Sequence, residues 1–425
     1  MTAAALASIG HEVAGLDYAV DTVARLNAGT PPLFEPGLKE LVAQGLAAGR
    51  LRFFDDAAAA VRGCEVLWVA YDTPVDDDDV ADVEFVVAQI ERTLPHLSDD
   101  TTVMVSSQMP VGTIRRLESM ARTSWPGRNI RFACSPENLR LGRALEVFLK
   151  PDRIVVGVRS QADRERIGPL LRPITDRIEW MSVESAEMTK HAVNAFLATS
   201  VTFTNEIAAI CEKVGADARD VERGLKTESR IGPKAYLTPG AAFSGGTLAR
   251  DVEFLKAVSA SGRLQSPLLS AIRASNDQHK QWARRKLEES LGDLKGRTVA
   301  VWGLTYKAGT STLRRSLAVE LCDALLGQGV RLQVHDPAAE ALPSEWAGRV
   351  RRTADPVEAL ANAQALVVAT EWPEYRQIPL DSISKLAPGL VVVDANRFLA
   401  SWSAIASIRY LAVGSVVPGP PETRP

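Results

Sequence analysis

At 425 residues the chain exceeds what one ordinary hydrophobic core occupies, so two or three domains are expected. Apolar residues at 46% and charged residues at 24% describe a soluble globular protein, and a net charge of −3 carries no nucleic-acid or membrane-surface signature. No apolar run approaches the roughly 18–20 residues that span a bilayer. Cys64, Cys134, Cys211 and Cys322 are scattered without metal-ligand spacing, so a reduced, cytoplasmic protein with no metal site is expected.

The chain opens on "MTAAALASIGHEV", which reads as a helix, followed by "HEVAGLD" (11–17), a strand closed by Asp17. The apolar start lacks a basic residue and is interrupted by His11 and Glu12, which argues against a signal peptide. "CEVLWVAY" (64–71), "TTVMVSSQ" (101–108), "IRFACSP" (130–136) and "RIVVGV" (153–158) are continuous apolar strands with helical stretches such as 82–97 between them. Such alternation predicts a parallel sheet covered on both faces. A dinucleotide-binding unit ordinarily begins with a strand and a Gly-rich turn, and an acid closes its second strand. Asp17 fits the acid, but no such strand or turn precedes it, and no G-x-G-x-x-G occurs elsewhere. A reading frame that starts late is the simplest explanation, and a product that neither binds NAD nor folds fully is one outcome of it. Residues 183–225 contain no proline and repeat apolar residues at helical spacing up to Gly215, predicting a long helix and then a second one. A helical connector follows over 266–291. "GRTVAVWGLTYKAGT" (296–310), "VRLQVHD" (330–336), "ALVVATEW" (365–372) and "GLVVVDANRF" (389–398) then open a second parallel α/β unit.

Several segments, in register, carry a resemblance: "TPPLFEPGL" (30–38), "AYDTPVDDDD" (70–79), "SSQMPVGT" (106–113), "SPENLRLG" (135–142), "AEMTKHAVNAFLATSVTFTNE" (186–206), "ESRIGPKAYLTPG" (228–240), "WGLTYKAGTSTLRRS" (302–316), "VHDP" (334–337) and "ATEWPEY" (369–375). Over about residues 2–400 the chain resembles the UDP-glucose/GDP-mannose dehydrogenase family. The resemblance implies an α/β fold of two Rossmann-like parallel-sheet domains joined by a long central helix and a helical middle domain. Its parts would be an NAD-binding domain at 1–182, a dimerisation and active-site domain at 183–292, a UDP-sugar-binding domain at 293–412 and a disordered tail at 413–425. It further implies NAD as cofactor, a UDP-sugar as substrate, a homodimer built on the central helix, and no nucleic-acid or membrane partner.

Enzymes of that family oxidise a sugar C6 alcohol to the acid with two NAD. The second step needs a nucleophile that turns the aldehyde into an oxidisable adduct, which a thiolate does well. In the matching register this chain offers Gly245, Gly246 and then Thr247 where the thiol belongs. A threonine hydroxyl ionises far above any nearby base. Cys134 is the one alternative thiol close to the strand ends, and a buried structural role is the simpler reading for it.

By resemblance, Lys190 stabilises developing oxyanion charge, and Asn194, one helical turn on, orients a water or the sugar. Asp251 positions a water, and Glu137 meets substrate or acts as base. A surface Lys/Asn pair and a helix N-terminal acid are the ordinary structural alternatives. Leu141 replaces a glutamate near the nicotinamide, Gln108 replaces a threonine, and Arg250 replaces a lysine while keeping its charge. For the cofactor, Asp17 would accept the adenosine ribose hydroxyls and favour NAD over NADP. Thr73 and Ser107 would line the same cleft, with Arg314 nearby. For the substrate, the resemblance implies Glu137, Asn138, Leu139, the Tyr236–Leu237–Thr238–Pro239–Gly240 loop, Ser244 and Lys307. Arg230 would reach the substrate across a subunit boundary. The Asp-Gly-Arg expected near the end reads Asp394–Ala395–Asn396–Arg397, with the arginine displaced by one. Two functions remain open on the sequence: a dehydrogenase of UDP-glucose or a close relative with an altered second oxidation, serving polysaccharide precursor synthesis, or a non-catalytic paralogue that binds a nucleotide-sugar or pairs with an active enzyme.

Overall fold

A computed structural model describes the chain apart from residues 33–34, 77–80, 138, 140–141, 245, 380–382, 384–386 and 416–425. It divides into two compact units, one of Met1–Val193 with Glu253–Leu264, the other of Asn194–Val252 with the chain from Gln265 onward.

The first unit runs α1 (Thr2–Ser8), β1 (Val13–Leu16), α2 (Val20–Asn27), α3 (Leu38–Ala47), β2 (Leu51–Phe54), α4 (Ala57–Ala60), β3 (Val66–Val69), α5 (Val83–Thr93), β4 (Thr102–Val105), α6 (Thr113–Ser124), β5 (Arg131–Cys134), α7 (Ala144–Leu149), β6 (Ile154–Gly157), α8 (Gln161–Leu171) and β7 (Ile178–Met181). β3, β4 and β5 are parallel neighbours, and β6 pairs with β7 in parallel. The expected all-parallel sheet is corrected at one seam, because β6 meets β5 antiparallel at Cys134 and Gly157. β1 and β2 form a separate two-stranded parallel sheet, so β1 and β3 each keep one edge unpaired among the described residues. The continuous apolar strands follow from burial on both faces. Val103 and Val105 of β4 pack with Ile90 of α5 and Leu117 of α6, while Met104 between them packs with Ile167 and Leu171 of α8.

α9 (Val183–Val214) is 32 residues long and begins in the first unit. The second unit continues with α10 (Ala218–Thr227), the start of α11 (Thr247–Ser261), α12 (Pro267–Lys280) and α13 (Trp282–Leu291). Its sheet comprises β8 (Thr298–Trp302), β9 (Arg331–His335), β10 (Val350–Arg352), β11 (Ala365–Val368), β12 (Val391–Val393) and β13 (Arg409–Leu411), with α14 (Leu317–Gly327) after β8. The order β10-β9-β8-β11-β12-β13 is parallel throughout, the doubly wound order with a crevice at the β8/β11 switch point. Val299 and Val301 of β8 face one core, and Ala300 and Trp302 face the other, where Trp302 stacks on Tyr375 with ring centroids 4.9 Å apart.

The first residues of the tail expected from 413 are packed. Val413 is 1% exposed, the Gly414 amide donates to Glu212, and the Gly414 carbonyl accepts from Ala218. Of that tail, 416–425 lie outside the described residues.

Candidate functional site

In the first unit the loops that follow β3, β4 and β5 are tied together at the carboxyl edge of the sheet, where open α/β sheets bind ligands. Ser106 Oγ donates to the Ser135 carbonyl at 2.6 Å and accepts from Trp68 Nε1 at 2.7 Å. Thr73, buried, donates its hydroxyl to the Gln108 carbonyl at 2.7 Å. Asp17 ends β1, and its Oδ1 accepts the Ala19 amide at 2.9 Å. Beside it Tyr18 lies beneath the Arg92 guanidinium, 3.6 Å from the ring centroid. Burial first, and then the charge of Asp17, push the Tyr71 phenol up to about 12. The residues of this edge fit the two ends of NAD. Asp17 has a second carboxylate oxygen for ribose hydroxyls, and Ser107 carries a buried hydroxyl with no partner among the described residues.

The segment after β5 holds Glu137 and Leu139, while Asn138 and Leu141 lie outside the described residues. Lys190 Nζ donates to the Glu137 carbonyl at 2.7 Å. The Glu137 carboxyl is pushed up to about 7, chiefly by loss of surrounding water and also by Asp72, against the opposing charges of Lys190 and the Met1 amine. Glu137 is itself exposed, so solvent tempers the rise. A carboxyl shifted toward neutrality suits a general base. Cys134 is 6% exposed and burial drives its thiol well above the usual range, so it is an inert core group.

Three groups here escaped the sequence reading. Glu35, in the Phe-Glu-Pro-Gly stretch, accepts the amides of Gly142 at 2.8 Å and Ala144 at 2.6 Å and so anchors the far end of the segment bearing Glu137. Glu187 and His191, on the same helix as Lys190, grip the loop after β4. Residues spaced as 187, 190, 191 and 194 share one helical face, which is the only signal the sequence offered.

In the second unit Thr247 is the first residue of α11 and is exposed, and Gly246 before it has φ +105°, a conformation that suits glycine. Gly245 lies outside the described residues. Arg250 and Asp251 in the next turn are buried, and Asp251, 0% exposed, accepts a hydrogen bond from Asn194 Nδ2. Arg315 packs against this turn: a Cβ on Gly246 would sit 3.2 Å from its Nη1. The sequence pointed to its neighbour Arg314, which is exposed.

The Tyr236–Gly240 loop is held from several elements. Thr204 donates to the Leu237 carbonyl at 2.7 Å, and Thr238 donates to Glu222 at 2.6 Å. The Gly240 amide donates to Asn205 Oδ1 at 3.0 Å, while the Gly240 carbonyl meets His279 Nε2 at 2.8 Å. Asn396 Oδ1 accepts the Ala241 amide at 2.7 Å. Pro239 and Gly240 are buried, whereas Tyr236 and Arg230 are exposed, and Arg230 pairs with Glu228. Ser244 is half-buried. The displaced Arg397 is engaged by Asp217 at 2.8 Å, leaving Asn396 as the side chain at the loop. Lys307, exposed, lies on the turn after β8. That turn is fixed by the Asp336 carboxylate, which accepts the amides of Leu304 at 2.6 Å and Thr305 at 3.0 Å.

Among the described residues no group of His, Cys, Asp and Glu could hold a metal ion, and no helix is long and apolar enough to cross a membrane. A cavity of about 290 Å³ between α8 and β7 contains none of these residues.

Comparison with known proteins accords with both halves. Residues 1–175 match the UDP-glucose/GDP-mannose dehydrogenase family NAD binding domain, residues 184–278 its central domain, and residues 300–401 its UDP binding domain. The chain is 35% identical over 416 residues to the UDP-glucose 6-dehydrogenase of Rhizobium meliloti (strain 1021), covering 96% of this chain and 95% of that one. It is 34% identical over 433 residues to the UDP-glucose 6-dehydrogenase of Pseudomonas aeruginosa, covering 97% and 94%. A UDP-glucose dehydrogenase structure from the hyperthermophilic archaeon Pyrobaculum islandicum superposes with a TM-score of 0.87 at 32% identity, over 98% of this chain and 95% of that one. With 34–35% identity sustained over nearly the whole length of both chains, the protein belongs to the UDP-glucose/GDP-mannose dehydrogenase family and is an NAD-dependent oxidoreductase of the UDP-glucose 6-dehydrogenase-like kind.

Proposed function

We propose that the protein oxidises the C6 alcohol of a UDP-sugar, UDP-glucose foremost, and that its first oxidation far outpaces its second. The observation that carries this reading is the residue at the start of α11: Thr247, a hydroxyl where the second oxidation needs a thiolate. Near-full-length similarity to UDP-glucose 6-dehydrogenases supports the choice of sugar. In the first oxidation Glu137 accepts the C6 hydroxyl proton, and Lys190 stabilises the developing alkoxide charge. Bound NAD supplies the hydride acceptor. Asp17, Thr73, Ser107, Gln108 and Arg314 contribute to its site, with Leu141 and Arg250 beside it. Asn138, Leu139, Arg230, residues 236–240, Ser244 and Lys307 hold the UDP-sugar. The Asn194–Asp251 pair orients water or the sugar. Thr247 can add to the aldehyde only by a much harder route than a thiolate, so the aldehyde is the product that accumulates.

The experiment counts NADH formed per UDP-glucose consumed. One equivalent with a UDP-linked aldehyde supports the reading; two equivalents with the acid contradict it. The same substitution at 247 also favours a second reading, a paralogue that binds nucleotide-sugar without turnover. That reading expects a rise in melting temperature with UDP-glucose and no NADH at all.

We further propose that the working protein is a cytoplasmic homodimer organised as NAD-binding, central and UDP-sugar-binding domains. Phe196, Phe203 and Ile210 recur every seven residues on α9, and Phe196 is 67% exposed. A stripe of that kind calls for a partner surface.

A further inference from the structure

We propose that Glu187 and His191 are positioning residues that lock the strip 106–114 at the carboxyl edge of the first unit's sheet, where it presents Ser107 to the cofactor. The inference rests on the reading that NAD is reduced at this edge.

The strip leaves β4, turns at Val111 and Gly112, and enters α6. Gly112 has φ +95° and caps α6 without a side chain, so the first amides of that helix lack the usual Ser, Thr or Asp acceptor. Glu187 supplies it from α9. One carboxylate oxygen accepts the Gly112 amide at 2.8 Å, and the other accepts the Ile114 amide at 3.0 Å. One helical turn on, His191 Nε2 lies 2.9 Å from the Met109 carbonyl; a carbonyl can only accept, so this nitrogen carries the proton. The His191 ring is 1% exposed and braced edge-on against Phe254, with centroids 5.4 Å apart. Glu187 is 5% exposed, and burial raises its carboxyl above the ordinary range while the two amides oppose that rise.

Both side chains therefore bond the strip's backbone. Between the tie of Ser106 to the Ser135 carbonyl and the Met109 anchor lie Ser107, whose buried hydroxyl has no partner among the described residues, and Gln108, whose carbonyl accepts from Thr73. A cavity of about 20 Å³ lined by Ser107, Gln108, Cys134, Glu187, Lys190 and His191 leaves room for one water-sized group there. A strip pinned on both sides of one unspent hydroxyl is a preorganised ligand edge, and reaction rates respond steeply to small misplacements of such edges.

Glu187→Gln tests this directly. The amide group keeps one acceptor but turns an N–H toward the second backbone N–H, so one of the two bonds is lost while shape is kept. Hydrogen exchange of peptides spanning 106–116 should accelerate at least tenfold, with exchange elsewhere unchanged. In turnover, kcat with UDP-glucose should fall at least tenfold and the isotope effect from C6-deuterated substrate should rise. Stabilisation by UDP should stay as in the wild type. His191→Gln, which retains an N–H donor, should recover more of the rate than His191→Leu. Unchanged exchange over 106–116, or a kcat loss that only tracks the folded fraction with an unchanged isotope effect, would overturn the proposal. If the wild type reduces no NAD, the functional reading fails by itself. The exchange measurement, with titration of NADH fluorescence against wild type and Glu187→Gln, then decides the positioning claim: accelerated exchange with weakened NADH binding upholds it, and equal binding overturns it.

Discussion

At the residue scale, the proposed chemistry rests on two side chains. As the proposed base, Glu137 would act through its unprotonated form, and its carboxyl is raised toward about 7, so activity should climb as pH rises through the neutral region and not near pH 4. The pH profile of kcat/KM checks this: Glu137→Gln should abolish the rising limb and lower the rate on the order of 10²–10⁴-fold. Thr247 makes the opposite kind of prediction, a gain. Thr247→Cys should raise the NADH yield from one equivalent toward two, because a thiol at the first residue of a helix has a depressed pKa and forms the adduct that a hydroxyl does not. Unchanged yield in that variant would place the block elsewhere. The sequence singled out Thr247 and Glu137 because each sits inside a distinctive local motif. It did not read Glu35, Glu187 or Arg315, whose partners lie 107, 75 and 69 positions away at Gly142, Gly112 and Gly246, distances no local pattern encodes.

At the scale of elements, strands with continuous apolar runs were legible, and short ones were not. β4 and β8 are buried on both faces and spell their burial out in Thr-Val-Met-Val and Thr-Val-Ala-Val-Trp. β2, β7, β10 and β13 went unnoticed, since three or four residues such as Val350–Arg352 with exposed arginines carry no periodicity. The antiparallel seam at Cys134 and Gly157 was equally invisible, because strand direction depends on the path of the connection, which here includes the short α7. Gly303 illustrates what an element's end requires. It leaves β8 at φ +85°, and a Cβ there would lie 2.6 Å from the backbone nitrogen of Thr370. Gly303→Ala should therefore cost at least about 2 kcal/mol, lowering the melting temperature by about 4–8 °C in thermal denaturation. A shift within a degree of wild type would mean the turn relaxes freely.

At the scale of the whole molecule, the central helix and Thr247 carry the proposed function. The exposed Phe196, Phe203 and Ile210 stripe predicts self-association, and Phe203→Glu should weaken it at least tenfold in sedimentation velocity while leaving helical content intact. A wild-type monomer at micromolar concentration would remove that part of the account. Family and fold class were readable from nine motifs in register, and relatives spanning nearly the full chain agree. Which sugar is turned over, and how far, depends on substrate geometry that no motif carries. The most direct measurement is therefore a burst-free progress curve with limiting UDP-glucose and excess NAD, followed to completion with product mass. The account predicts close to one NADH per sugar and a UDP-hexose aldehyde two mass units lighter than substrate. Two NADH per sugar and UDP-glucuronate, formed without a lag between the first and second equivalents, would contradict it.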